Sequence, residues 1–277
     1  MLKLWSIPQS GYIAPKAMNT VLSALPRLKE LELKFLSPRS RAVRATRYTP
    51  PLTRIILPVL TSFGFKGDSE YLEDFLSRID APLLSSISIV FFNQLLFNTP
   101  LLGHFINRTE GLKGPQQARI FLCSVGFVFT LSQRNSIAEH KSLSLSISCR
   151  PSDWLLSSLA QLCGFSLPPF STLMRLKIYQ DLSFERHWED DMENTQWLEL
   201  LQPFAFVEDL VLCDKTAGLV APALQELIGE GVTDVLPALQ NLFIEGPQPS
   251  GQINEAIGKF VGARRHPGHP ITVLYNS

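Results

Sequence analysis

Apolar residues recur along this chain in a short, fixed arrangement, and one clear copy runs from Leu236 to Ile244. Within it, Leu239, Leu242 and Ile244 are separated by a step of three residues and then by a step of two. A step of two is typical of a strand with one buried face, and Leu239 then lies on the turn that leads into the strand. The stretch therefore predicts a turn followed by a half-buried β-strand.

The same arrangement recurs in further copies from end to end of the chain. The clear copies are Leu28/Leu31/Leu33, Leu60/Phe63/Phe65, Leu84/Ile87/Ile89, Leu173/Leu176/Ile178, Val207/Leu210/Leu212 and Leu239/Leu242/Ile244. A less regular part lies in the middle of the chain, where residues 120–131 are almost continuously apolar and residues 143–149 alternate. Recurrence at intervals of about 20 to 50 residues is the sequence signature of a solenoid.

Helical patterns lie between these predicted strands. Apolar residues at i, i+3, i+4 and i+7 occur in the segment 72–79, and similar apolar stripes at helical spacing occur in the segments 101–106, 155–163, 220–228 and 253–261. Each segment has one apolar face, so each predicted helix packs on one side of the strands. Strands that alternate with helices predict a parallel sheet with right-handed crossovers.

The predicted fold is α/β: an irregular leucine-rich-repeat solenoid with a parallel curved sheet and helices on the convex side. We expect a single domain over residues 1–277 with about eight irregular repeats, in which the clear strands are neighbours in chain order. A C-terminal cap is expected over residues 250–277, with a helix and a final strand at Ile271 to Tyr275. At the N-terminus we expect only a short helix, Ala17 to Leu25, before the first repeat.

Composition narrows the class of protein. The hydrophobic content is 45% and the formal net charge is zero, which favours an ordered chain that is drawn neither to nucleic acid nor to a membrane. The four cysteines form no CxxC pair, and the N-terminus is unlike a signal peptide. We therefore expect an intracellular protein, cytoplasmic or nuclear, with free thiols.

The sequence contains no complete copy of the catalytic motifs considered below. Ile257-Gly258-Lys259 lacks the spacing and the hydroxyl residue of a phosphate loop, because Phe260 stands where Ser or Thr would hold Mg²⁺. No GxSxG sequence occurs, and the histidines have no HExxH spacing. We predict a protein that is not an enzyme and that needs neither a cofactor nor a metal.

Two charged segments are the candidate binding residues. Between Leu33 and Gly67 the chain has no acidic residue, and the predicted binding residues in this basic segment are Arg39, Arg41, Arg44 and Arg47. An acidic segment follows the fourth clear strand, and its predicted binding residues are His187, Trp188, Asp190 and Asp191. Long loops and an aromatic residue beside charge are typical of interfaces, although solvated insertions are the alternative.

The chain resembles the F-box-like leucine-rich-repeat proteins that are expanded in mushroom-forming fungi. The segments that carry the resemblance are residues 57–63, 65–74, 78–82, 196–201, 221–227, 258–264 and 268–271. Members of that family usually begin with an F-box, which docks on the adaptor of a cullin-type ubiquitin ligase. We recognise no F-box in this chain, so the resemblance implies that adaptor as a partner only if an F-box lies upstream.

The function expected from the pattern and the resemblance is a non-catalytic protein-interaction scaffold with an unidentified protein partner. The resemblance implies that it is the substrate-recognition part of an F-box-type ubiquitin ligase. The alternatives are a truncated remnant that has no partner and an enzyme whose motifs are unrecognised.

Overall fold

The computed structural model describes residues 1–38, 54–92, 99–123, 126–133, 142–148, 155–167, 170–181, 193–227, 234–246, 250–265 and 270–276. The chain divides into two compact units. Unit 1 comprises Met1–Lys113, Asn135–Ser148 and Gly164–Pro168, and unit 2 comprises Gly114–Arg134, Cys149–Cys163 and Pro169–Ser277. Each unit is a mixed α/β structure with a mostly parallel sheet and helices.

Strands and helices alternate along most of the chain. The strands are β1 Leu2–Ile7, β2 Glu30–Phe35, β3 Ile55–Ile56, β4 Ser62–Gly67, β5 Ile79–Asp80, β6 Ser86–Phe91, β7 Gln117–Cys123, β8 Gly126–Ser132, β9 Ser142–Ser148, β10 Arg175–Gln180, β11 Asp209–Cys213, β12 Asn241–Glu245 and β13 Thr272–Asn276. The α-helices are α1 Pro15–Ser23, α2 Ser69–Ser77, α3 Pro100–Arg108, α4 Leu155–Gln161, α5 Asn194–Leu201, α6 Asp214–Glu226 and α7 Gly251–Arg265.

The recurring sequence arrangement corresponds to one recurring piece of structure. Each clear copy begins with a turn closed by a backbone hydrogen bond across three residues: Leu28 to Leu25, Leu60 to Leu57, Leu84 to Ala81, Leu173 to Phe170, Val207 to Phe204 and Leu239 to Leu236. In every copy the strand starts two residues after the turn closes. Proline occupies the second turn position in four of the copies, where its fixed φ suits the turn.

The residue between turn and strand links one copy to the next. The carbonyl of Lys29 accepts the N–H groups of Thr61 and Ser62, and the carbonyl of Thr61 accepts those of Ser85 and Ser86. In unit 2, the carbonyls of Met174 and Glu208 each accept two N–H groups from the start of the following strand in the same way. These shared bonds hold successive strands in parallel at a constant register.

Unit 1 has the strand order β1-β2-β4-β6-β9, and every neighbouring pair is parallel. Its core lies between this sheet and the helices, where the ring of Phe75 on α2 stacks on that of Phe63 at 5.5 Å and Tyr71 stacks on Phe65 at 5.7 Å. Strands β3 and β5 form a separate parallel pair. The helices therefore cover the sheet face that carries the apolar positions of the repeat.

Unit 2 has the strand order β8-β7-β10-β11-β12-β13. All neighbouring pairs are parallel except β7 and β8, which are antiparallel. On its helix side, Leu176, Leu210 and Leu242 are fully buried. Thr216 of α6 donates to the carbonyl of Ile178 at 3.0 Å, which ties this helix to β10.

The structure confirms the clear strands and the cap elements, a helix and a final strand, but corrects three expectations. The apolar run 120–131 is an antiparallel hairpin of β7 and β8, because its two halves can pair across a short connection. β6 lies beside β9 and β10 lies beside β7, so the clear strands are not all neighbours in chain order. The N-terminus contributes a strand, β1, as well as the expected short helix. That all 277 residues form one domain stays a prediction.

Candidate interaction face

The binding residues predicted from sequence lie outside the described residues, so their role stays a prediction. The set comprises Arg39, Arg41, Arg44, Arg47, His187, Trp188, Asp190 and Asp191. The described flanks show only where the two segments start: the basic segment follows β2 of unit 1, and the acidic segment follows β10 of unit 2. Each thus follows the C-terminal end of a parallel strand.

Each sheet has a second face, here called the open face, formed by the strand residues that alternate with the buried ones. In unit 2 the register aligns these residues in rows across the strands. The first row is Gln117, Arg175, Asp209, Asn241 and Thr272, and the second is Arg119, Lys177, Val211, Phe243 and Leu274. Large and charged side chains therefore stand together on this face.

The side chains of Arg175 and Lys177 on β10 both extend across β11 to residues of β12, along two parallel diagonals. The guanidinium of Arg175 lies 5.4 Å from the centre of the Phe243 ring, and the ammonium of Lys177 pairs with the Glu245 carboxylate at 2.5 Å. Val211, on the strand they cross, is fully buried although it belongs to the open face. These two contacts therefore hold the side chains at the centre of the open face in place.

Aromatic rings extend the surface toward the C-terminal ends of the strands. Phe121 and Tyr179 are direct neighbours in the register, and their ring centres are 5.1 Å apart. The ammonium of Lys177 also lies 5.8 Å from the Tyr179 ring centre. Rings packed beside a cation in this way lose little further freedom when a partner covers them.

A cleft of about 320 Å³ opens on this face at the N-terminal ends of the strands. Its charged lining consists of Arg175, Glu208 and Asp209, and Asn241 and Phe243 contribute an amide and a ring. Asn241 donates to an oxygen of Asp209 at 2.9 Å. Arg175 makes the ring contact with Phe243 and donates to no acceptor among the described residues. Within the described ranges, the guanidinium in this cleft therefore has no hydrogen-bond acceptor.

The open face of unit 1 is built differently. Its central strands carry small residues in register: Ser62 and Gly64 on β4, Ser86 and Ser88 on β6, and Ser142 and Ser144 on β9. Side chains of this size leave the surface flat and offer little area to a partner. Larger side chains stand at β1 and β2 and near the C-terminal ends of β4 and β6, where the ammonium of Lys66 lies 5.7 Å from the centre of the Phe92 ring.

Trp5, 58% exposed, is held in a charged cluster at the β1 edge of unit 1. Its indole N–H donates to Glu32 at 2.8 Å, and the ammonium groups of Lys3 and Lys34 lie 5.4 and 5.1 Å from its ring. Both lysines also pair with Glu32, and their hydrogen bonds lower the pKa of that carboxyl to about 2. Trp5 precedes a β-bulge at which Ser6 has a φ of 53°. Both lysines of the cluster are therefore paired with the Glu32 carboxylate.

Sequence reasoning did not select any of these open-face residues as a candidate site. The signal was present in the intervening positions of the repeat, such as Arg175, Lys177 and Phe243, which alternate with the apolar ones. A run of charged residues can be recognised in a short stretch of sequence. A surface formed by four strands can be recognised only once the register of those strands is known.

The described residues also bear on metal binding and on membrane insertion. No group of three or more His, Cys, Asp or Glu side chains suited to a metal ion occurs within the described ranges. None of the described helices has the length and hydropathy needed to cross a bilayer. Cys123, Cys163 and Cys213 are free thiols, and burial raises the pKa of the Cys163 thiol.

Comparisons with known proteins add no identity: no family model, no curated protein and no solved structure matches this chain.

Proposed function

We propose that this protein is a non-catalytic protein-interaction scaffold and that the open face of unit 2 is its recognition surface. The observation that supports this most is the grouping of Phe121, Tyr179, Phe243, Arg175 and Lys177 on one face of the sheet, opposite the face that carries the buried apolar positions. Aromatic and arginine side chains are enriched where proteins bind one another. A rigid sheet also holds them in place before a partner arrives, which lowers the entropy lost on binding.

We propose further that the recurring turn and strand are an irregular leucine-rich repeat. On this proposal they form a solenoid with a curved sheet and helices on the convex side. Support comes from the constant two-residue spacing between turn and strand and from the carbonyl that serves two N–H groups of the next copy. The concave surface of a solenoid is its usual binding surface. The open face of unit 2 would then belong to that surface.

The resemblance in sequence supports a more specific proposal, that the partners are substrates presented to a ubiquitin ligase. In this proposal the chain recognises the substrate, and a cullin adaptor joins it only through an F-box upstream. The test is to raise the level of the longest encoded product in cells and to follow ubiquitination of the captured partners. Unchanged ubiquitination and half-lives would contradict the ligase role and leave the scaffold role standing.

The scaffold role is tested by changing the aromatic pair of the open face. Phe121→Ser and Tyr179→Ser are expected to lower capture of partners by about tenfold or more, since hot-spot residues carry a large share of binding energy. Capture from cell extract is quantified by mass spectrometry against the unchanged protein. Cooperative melting of each variant checks that the fold is retained.

Phe206→Ser is the matched control, because Phe206 is an aromatic residue of the same unit that is 56% exposed and lies in a repeat turn rather than on a strand. It should leave capture unchanged. Equal loss in the control, or no partner captured by the unchanged protein, would favour the remnant without a partner.

A further inference from the structure

The cleft at the N-terminal ends of β10, β11 and β12 has a charge pattern that restricts what can occupy it. The charged residues that line it are one basic residue, Arg175, and two acidic residues, Glu208 and Asp209. Neither carboxylate forms an ion pair with Arg175, although Asp209 is its direct neighbour in the register. The three charges are therefore held apart, with Arg175 drawn onto the Phe243 ring and Asp209 bonded to the Asn241 amide.

A ligand with only one sign of charge fits this lining poorly. A plain carboxylate would contact Arg175 but would meet the two acidic side chains, and a plain cation would contact the acidic side chains but would leave Arg175 without an anionic partner. Charged groups brought into a partly desolvated cleft without a partner are costly. A ligand with an anionic and a cationic group side by side satisfies both halves of the lining.

We propose that this cleft binds a segment of a partner polypeptide in which acidic and basic side chains are adjacent. Arg175 takes the ligand carboxylate through paired N–H donors, which a guanidinium presents in the geometry of a carboxylate. Glu208 takes the basic group, and the free oxygen of the Asn241 amide accepts from the ligand as well. The proposal rests on the scaffold function, since it names the chemistry recognised by one part of the same face.

The volume supports a side-chain pair rather than a whole element. A cleft of about 320 Å³ lies at the small end of the range for ligand sites. The backbone N–H groups of Glu208 and Asp209 are bonded to Met174, and those of Gln240 and Asn241 are bonded to Glu208. Recognition here therefore depends on side chains and not on strand addition.

The experiment measures binding of the full chain to four fluorescent Gly/Ser peptides that differ only in their centres: Glu-Lys-Glu-Lys, all Glu, all Lys, and the same charges separated by serines. The mixed peptide is expected to bind about tenfold more tightly than the two peptides with one sign of charge, as expected for an added charge-assisted hydrogen bond. Equal affinity for all four peptides would overturn the proposal.

Four variants assign the effect to the cleft. Arg175→Gln and Glu208→Gln should each weaken binding of the mixed peptide by about tenfold. Lys259→Gln and Glu255→Gln, which change an exposed ion pair on α7 by the same chemistry, should leave it unchanged. Equal losses in the α7 pair would show a general charge effect and contradict the cleft.

A change of specificity excludes misfolding as the cause. Arg175→Glu leaves only acidic side chains among the charged groups of the cleft, so this variant should bind the all-Lys peptide better than the unchanged protein does. Free lysine and free glutamate serve as competitors. If either displaces the mixed peptide at equal concentration, the cleft binds small zwitterions, and the polypeptide part of the proposal is wrong.

The outcomes separate this inference from the scaffold proposal. Loss of partner capture in Phe121→Ser with unchanged peptide binding would support both. Peptide binding without any captured partner would contradict the scaffold role and retain the cleft. Partner capture that is unaffected by Arg175→Gln and Glu208→Gln would retain the scaffold role and contradict the cleft.

Discussion

The two units use the same turn and strand but differ in the residues that they place on the open face of the sheet. In unit 1, aromatic residues fill the helix side, where Phe63, Phe65 and Phe75 are buried, and the central open face carries serine and glycine. In unit 2, Leu176, Leu210 and Leu242 are buried, as are the rings of Phe129, Phe170 and Phe204, and large side chains also stand on the open face. Alternate strand positions can therefore vary independently, because successive side chains point to opposite faces.

The residues on the helix side of each sheet stabilise the fold, whereas the residues on the open face are available for contact with a partner. Both inner faces are close-packed and apolar, as any repeat needs for its core. Outside the sheet, unit 2 carries aromatic and cationic side chains across β7, β10 and β12, whereas unit 1 carries the cluster of Trp5, Lys3 and Lys34 at β1 and β2. Under the proposed function, partner binding would therefore depend on the open face of unit 2.

The units also bury ionisable groups of opposite sign. In unit 1 the Glu73 carboxylate accepts the N–H groups of Leu101 and Leu102 at 2.8 and 2.9 Å, at the start of α3. In unit 2 the fully buried guanidinium of Arg264 donates to the carbonyl of Leu236. Burial raises the pKa of Glu73 to about 7 against the effect of the two N–H groups, and burial lowers the pKa of Arg264.

The largest expected effect tests the aromatic core of unit 1. Phe75→Ala removes a fully buried ring that stacks on Phe63, and it should lower the free energy of unfolding by about 4 kcal/mol. Leu210→Ala in unit 2 should cost about 3 kcal/mol. Denaturant unfolding measures both, with Phe206→Ala as an exposed control. A smaller loss for Phe75→Ala than for Leu210→Ala would contradict the expectation that the larger buried side chain contributes more to the free energy of unfolding.

The next effect concerns pH and Glu73. Because the folded pKa lies above the ordinary value of 4.5, the folded state binds a proton more tightly than the unfolded state. Stability from this group is complete below pH 4.5 and is lost as the pH rises through 7, a change of at most about 3 kcal/mol. Glu73→Gln should remove this decline. The check is urea unfolding of both proteins across that range, and identical slopes would show that Glu73 does not titrate there.

The smallest effects compare glycines of the two units. A Cβ on Gly111 of unit 1 would lie 2.3 Å from the carbonyl oxygen of Leu84, whereas a Cβ on Gly258 of α7 would meet nothing within 4 Å. Gly111→Ala should therefore destabilise by about 2 kcal/mol because backbone must move. Gly258→Ala should stabilise by about 1 kcal/mol through helix propensity. Thermal melting distinguishes the two signs, and a stabilising Gly111→Ala would show that the close approach relaxes freely.

Much of the repeat was readable from the sequence because its signal is local. A turn with proline, a strand two residues later and a helix with one apolar face each depend on residues within a few positions of one another, as at Leu236 to Ile244. The C-terminal helix and strand were predictable for the same reason. The strand β1 was missed because Pro8 and Gly11 shortly after it suggested a break.

The candidate site was not readable in this way. Arg175, Asp209 and Phe243 are far apart in the chain and meet only because the register aligns β10, β11 and β12. Strand pairing also depends on long-range partners: the alternating segment 142–148 could satisfy any parallel edge, and only the tertiary structure assigns it to β6. The sequence alone determined the repeating elements, because local periodicity encodes which side of an element is buried. The tertiary structure decided the strand order, the hairpin of β7 and β8 and the open-face cleft, because these depend on which edges pair once the chain has folded.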